Sequence, residues 1–192
     1  MKLWLPLLRR FRERFYIGSF AGSSQNPRPF NLHQGLIFNS GTGFFNDWGD
    51  TATLSNVTIS GNTAPRGGGL RIASGTVRLR GVILSGNTAT SGTGPECEGS
   101  LTSNGYNLIK SNADCSFTRD STDILNQDAN LGSLANNGGG LLTHLPNAGS
   151  PVLDKVPAGN CVTIAGTALA TDARGVTRPQ NGSCDIGAVE KQ

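Results

Sequence analysis

Histidine occurs only at positions 33 and 144 of the 192 residues, aromatic side chains make up just 6%, and none of the four cysteines stands in a C-x-x-C pair. Zinc centres need closely spaced His and Cys ligands, so Cys97, Cys115, Cys161 and Cys184 do not read as a metal site. No G-x-S-x-G sequence is present either, and both histidines lie away from the repeats described below, which removes Ser–His nucleophilic chemistry. No apolar run is long enough to span a membrane. The stretch Leu3 to Leu8 is too short for a secretory leader, and an arginine cluster follows where a cleavage site needs small residues.

Charge is also scarce, and it is unevenly placed. The formal charge is +3, but residues 1–20 hold Lys2, Arg9, Arg10, Arg12 and Arg14 against Glu13, which leaves −1 for the rest of the chain. The body therefore lacks the basic surface that nucleic-acid binding needs. Residues 1–34 resemble nothing downstream and are expected to be a leader segment, disordered or mistranslated, with further coils upstream in the intact protein.

What the chain has in abundance is glycine, 27 copies, among many Asn, Ser and Thr, a mixture that favours short strands and tight turns. It also repeats. Residues 54–64 read LSNVTISGNTA and residues 79–89 read LRGVILSGNTA, with seven of eleven positions identical at an offset of 25. A weaker third copy puts Ile109 and Asn112 in the same phase. Within a copy, apolar residues fall at spacings of two, three and two: Ala52, Leu54, Val57, Ile59, then Val77, Leu79, Val82, Leu84. The spacing of two marks strands with a buried face, and the step of three marks a corner. Asn56 and Gly81 occupy that corner, and both tolerate a left-handed backbone. Residues 69–75 are echoed by 35–41, which implies an insertion near 42–50.

Three short strands per 25 residues predict an all-β, right-handed parallel β-helix of about three coils over 35–118, with a loop-rich cap over 119–192. Residues one coil apart then stack, so Asn62, Asn87 and Asn112 are expected to form an asparagine ladder. Two sequential disulfides, Cys97 to Cys115 and Cys161 to Cys184, are the simplest of three connectivities, and they call for an oxidising compartment.

The last third carries Leu131-Gly132, Leu134-Ala135-Asn136-Asn137-Gly138-Gly139, Gly149-Ser150-Pro151-Val152-Leu153-Asp154, Asp172 with Arg174-Gly175 and Arg178-Pro179, and Cys184-Asp185-Ile186-Gly187-Ala188 with Glu190. Over residues 53–190 the chain resembles the C-terminal part of bacterial choice-of-anchor Q domain surface proteins, a pectin-lyase-like group. The resemblance implies an extracellular or cell-surface protein in which the cap blocks the open end of the coils. Asp172, Arg174, Arg178 and Asp185 would fix loops of that cap by charge-assisted hydrogen bonds.

Polysaccharide chemistry on such coils needs gathered carboxylates, and 51–118 offers only Glu96, Glu98 and Asp114. Glu96 follows Arg71 by one repeat and is expected to pair with it at the surface. Two groups of residues suit ligand contact. Arg78 and Arg80 should project from one strand, with Ser55 one coil before and Ser103 one coil after, a setting for an acidic sugar. Phe44, Phe45 and Trp48 would protrude from the insertion as a sugar-stacking loop. The function expected is a non-catalytic module for surface presentation or adhesion, with a polysaccharide or cell-surface glycan as partner and no cofactor or metal. The alternative is a fragment of a polysaccharide lyase or hydrolase whose catalytic coils are missing.

Overall fold

The computed structural model describes Tyr16–Ile17, Phe20–Ala21 and residues 30–38, 41–46, 49 and 51–192. Apart from one turn of 3₁₀ helix at Ala158–Asn160, its regular structure is strand, and the main sheets are parallel. The chain winds as a β-solenoid with three faces. One face stacks Leu36–Ile37, Thr58–Ile59, Ile83–Leu84, Leu108–Ile109 and Ile124–Leu125. A second stacks Phe30–His33, Thr51–Ser55 and Thr76–Arg80 with the end of Cys97–Ser103. The third pairs Phe44–Asn46 with Leu70–Ile72, and Leu70–Ile72 with the start of Cys97–Ser103. Leu32, Ile37, Phe44, Leu54, Ile59, Leu70, Val77, Leu79, Leu84 and Ile109 meet in the core that these faces enclose.

The corners form where the repeat places them. Asn56 and Gly81 have φ of 53° and 64°, the left-handed conformation expected of them. Both disulfides pair sequentially, with Cα–Cα distances of 5.5 Å for Cys97–Cys115 and 6.1 Å for Cys161–Cys184. They call for an oxidising environment. Among the described residues no helix is long and apolar enough to cross a membrane.

Several sequence expectations need correction. Coil strands begin upstream of residue 35: Phe30–His33 pairs with Ala52–Ser55, and the backbone of Tyr16–Ile17 pairs with Leu36–Ile37. Residues 35–41 are not the counterpart of 69–75. Leu36–Ile37 belongs under Thr58–Ile59, whereas Leu70–Ile72 lies over Phe44–Asn46. Phe44 is therefore a core residue, packed 5.5 Å from Phe30 by ring centroids, and does not protrude. The stack also reaches past residue 118, because Ile124–Leu125 extends the first face.

The largest difference concerns the cap. Cys115, Phe117 and Leu125 lie against the last coil's core and cover that end of it. Residues beyond Asn126 instead lie along the flank of the solenoid, over the first face. Leu36 packs on Ala173, Ala188 and Val189, while Ile83 and Leu108 share a cluster with Ala129, Val152, Val156, Ile186 and the second disulfide. Hydrogen bonds follow the same line: Ala188 N–H donates to Thr58 Oγ1 at 3.1 Å, Gly187 N–H to the Gly81 carbonyl at 2.9 Å, and Ile164 N–H to Ser55 Oγ at 3.1 Å. A plug at one end could not reach successive coils in this way. The physical cause lies in the strands themselves, since both residues of Ile83–Leu84 and Leu108–Ile109 are apolar and only one of each pair can face the core.

Candidate functional site

Among the described residues, the second face stays open on its outer side along the row that includes Arg78. In-register pairing puts Asn31, Thr53, Arg78 and Thr102 in one row across four strands, at the roughly 4.8 Å spacing of neighbouring strands. Asn31, Arg78 and Thr102 are exposed, and Thr53 is half-buried. Alternate residues Ala52, Leu54, Val77 and Leu79 point inward, which is what turns the row outward. Arg78 has no salt bridge among the described residues, so its guanidinium faces solvent between hydroxyl and amide neighbours.

The other residues expected beside Arg78 do not join it. Arg80 bonds the carbonyls of Asn104, Val162 and Asn160 at 2.7, 3.2 and 3.1 Å and lies over the Tyr106 ring, so it ties the flank cover to the coils. Ser55 is fully buried beneath that cover. Ser103 is displaced by one residue of register. It stacks over Leu79, not Arg78, and its hydroxyl donates to Asp123 at 2.7 Å inside the last coil. Thr102 takes the outward place instead. Phe45 is half-buried with Arg71 over its ring, and Trp48 lies outside the described residues.

The asparagine ladder is present in two of its three expected members. Asn62 donates through both its backbone N–H and its amide to Asn87 Oδ1, at 3.1 and 2.9 Å. Asn112 does not continue the ladder, and its carbonyl instead accepts from Cys115 in a turn. Glu96 takes the next place. Its carboxylate accepts from Asn87 Nδ2 at 2.6 Å, from Asn87 N–H at 3.4 Å and from Gly86 N–H at 2.9 Å. Glu96 is therefore buried, and the expected surface pair with Arg71 does not form; Glu98 stands opposite Arg71 and pairs with Arg66. A second ladder repeats the plan. Val82 N–H donates to Asn107 Oδ1, and Asn107 donates through its N–H and amide to Asp123 Oδ1. Each amide passes its donors upward, so the last member needs acceptors only, and a carboxylate supplies them.

In the flank cover, Asp172, Arg174, Arg178 and Asp185 are joined by Glu190. Asp172 accepts from the backbone of Arg174, Val176 and Glu190. Arg178 donates to the carbonyls of Asp185 and Gly187, and its Nε lies 3.5 Å from Glu190. Asp185 accepts from Asp154 and Lys191, and Glu190 from Gln180 and Asp185. Every carboxylate here is held by backbone N–H groups, which anchors loops and leaves no acid aimed at solvent. Glu190 was missed as a member of this group because it sits at the end of an apolar run.

Burial pushes the carboxyls of Glu96, Asp185 and Glu190 above the usual range. A raised folded pKa means the folded state holds more protons than the unfolded one above the ordinary carboxylate range, so stability falls as pH rises through that window. Urea unfolding midpoints are expected to drop from pH 5 to pH 7; a rise over that window would contradict the assignment. Compared with protein-family models, curated proteins and solved structures, the chain finds no match.

Proposed function

We propose that the protein is a non-catalytic extracellular module that presents its open solenoid face to an acidic surface glycan, in keeping with the resemblance to choice-of-anchor Q surface proteins. The observation that carries this reading is the row Asn31, Thr53, Arg78 and Thr102, in which one arginine without a salt bridge among the described residues sits among uncharged hydrogen-bonding groups. A guanidinium of this kind suits a carboxylate or sulfate by two parallel hydrogen bonds, and flanking hydroxyls suit sugar hydroxyls. A non-catalytic role is supported by the buried carboxylates of the ladders and flank cover, whose oxygens are engaged by backbone and amide donors.

The test is a glycan array probed with the oxidised chain and with Arg78→Ala. Arg78 is exposed, so its loss should leave stability within about 0.5 kcal/mol. Binding to acidic glycans is expected for the parent and at least tenfold weaker for the variant. A folded parent that binds no acidic glycan, or a variant that binds as well as the parent, would rule the reading out.

A further inference from the structure

The last coil differs from those before it. Between the first face and the third, earlier coils pass through Thr63–Arg66 and Thr88–Thr93, two strands that pair with each other. The last coil omits that passage. It turns sharply at Asn112, whose carbonyl accepts from Cys115 N–H at 3.2 Å, and drops directly onto Cys97–Ser103, with Cys115 beside Gly99 and Ser116 beside Ser100. Residues 112–118 thereby form a short strap across the end of the core, on which they lay Cys115 and Phe117.

The strap is lightly held apart from its disulfide. Ala113, Asp114, Ser116 and Thr118 are exposed, and Asn112, Cys115 and Phe117 are only half-buried. Besides the two-residue strand pairing, Asp114 accepts from Gly99 N–H at 3.1 Å through its carbonyl and from Gly94 N–H at 2.7 Å through its carboxylate. A segment with few buried contacts and exposed backbone bonds opens locally, well before the fold as a whole. Cys97–Cys115 is the covalent tie that keeps it shut. Cys161–Cys184 is placed differently. Both of its cysteines are buried, packed with Ile83, Leu108, Val152 and Ile186 between the coils and the flank cover, so a reagent in water meets them only after that cover opens.

We infer that Cys97–Cys115 is a thiol-sensitive latch: a dithiol reduces it while Cys161–Cys184 stays oxidised, and the released strap lifts from the end of the core. The chemistry is thiol–disulfide exchange. A reagent thiolate attacks Sγ of Cys115, the half-buried partner, the Cys97–Cys115 bond breaks, and Cys97 leaves as a thiolate that takes up a proton. The reagent's second thiolate then attacks the reagent sulfur of the mixed disulfide, which closes a cyclic disulfide and releases Cys115. Two electrons pass from the dithiol, which is oxidised, to the cystine, which is reduced. Once the strap lifts, Phe117 leaves the core and apolar surface at that end of the stack meets water. The latch does not rest on the glycan reading of the open face.

The test treats the oxidised full chain with graded dithiothreitol at neutral pH, traps free thiols with iodoacetamide and locates them by mass spectrometry. Cys115 is expected to be labelled at least about tenfold faster than Cys161. In the chain reduced at Cys97–Cys115 alone, binding of anilinonaphthalene sulfonate should rise and amide exchange at Gly99, bonded to the Asp114 carbonyl, should accelerate at least about tenfold, while Ala188 in the flank cover keeps its rate. The double variant Cys97→Ser/Cys115→Ser should show the same dye binding and Gly99 exchange without reductant; if it does not fold, the reduced parent decides alone. The proposal is overturned if Cys161 is labelled as fast as Cys115, or if reduction at Cys115 leaves dye binding and Gly99 exchange unchanged. It is also overturned if that reduction abolishes the strand signal in circular dichroism, since the whole fold and not the strap would then have opened.

Discussion

Glu96→Ala should destabilise the protein by about 3–5 kcal/mol, as much as truncating a large side chain of the coil core. The substitution strips the acceptor from Gly86 N–H, Asn87 N–H and Asn87 Nδ2 together. The two Asn87 donors lie where water does not reach, since Glu96 is 2% exposed and Asn87 7%, whereas Gly86 is exposed. Each buried donor left without a partner costs about 1–3 kcal/mol. Glu96→Gln keeps one acceptor oxygen but adds an NH₂ group facing other donors, so a loss of about 1–2 kcal/mol is expected. Asn112→Ala, by contrast, should shift stability by no more than about 0.5 kcal/mol. Urea unfolding followed by circular dichroism ranks the three. An Asn112→Ala effect equal to that of Glu96→Ala would restore the ladder first read from the repeat.

The second large effect concerns the flank cover. Arg178→Met should cost about 3–5 kcal/mol, because it leaves the buried Glu190 carboxylate without its cation and removes the donors to the Asp185 and Gly187 carbonyls. That loss should fall on the cover before the coils. The inner core of Leu54, Ile59, Leu79, Leu84 and their neighbours contains none of the cover's residues, so it can stay folded while the cover opens. Limited proteolysis of Arg178→Met is expected to cut first within residues 160–190 and to spare residues 51–118. Simultaneous loss of both regions would mean that cover and coils unfold as one unit.

The fold was legible because stacking repeats its demands every coil. Leu54 and Leu79 face inward, Asn56 and Gly81 turn the corner, and Asn62 and Asn87 bond each other as identical neighbours should. The reading failed where coil length changes. The segment between Ala89 and Thr93 bulges against Thr63–Arg66, which shifts Cys97 over Leu70 and carries Glu96 into the interior. A one-residue slip likewise exchanged Ser103 for Thr102 on the open face. A slip of one residue reverses a side chain's direction without altering composition.

The lateral position of the cover did leave a trace in the sequence. Leu36–Ile37, Ile83–Leu84, Leu108–Ile109 and Ile124–Leu125 are consecutive apolar pairs, whereas the open face alternates apolar with polar residues. Two apolar neighbours on a strand demand burial on both sides. The candidate site was half legible for the same reason. Alternation placed Arg78 outward, but nothing local to Arg80 or Ser55 could announce that residues some 80 to 110 positions later would lie on top of them.

Amide hydrogen exchange at Ala188, in the parent and in Thr58→Val, tests most directly whether the C-terminal region lies along the flank. The substitution keeps shape and removes only the hydroxyl that accepts from Ala188 N–H, 130 residues away in sequence. With a hydrogen bond of about 1–1.5 kcal/mol lost, exchange at Ala188 is expected to accelerate by roughly tenfold while Ile83, bonded to the Val57 carbonyl, keeps its rate. An unchanged rate at Ala188 would place the region elsewhere and contradict the lateral cover.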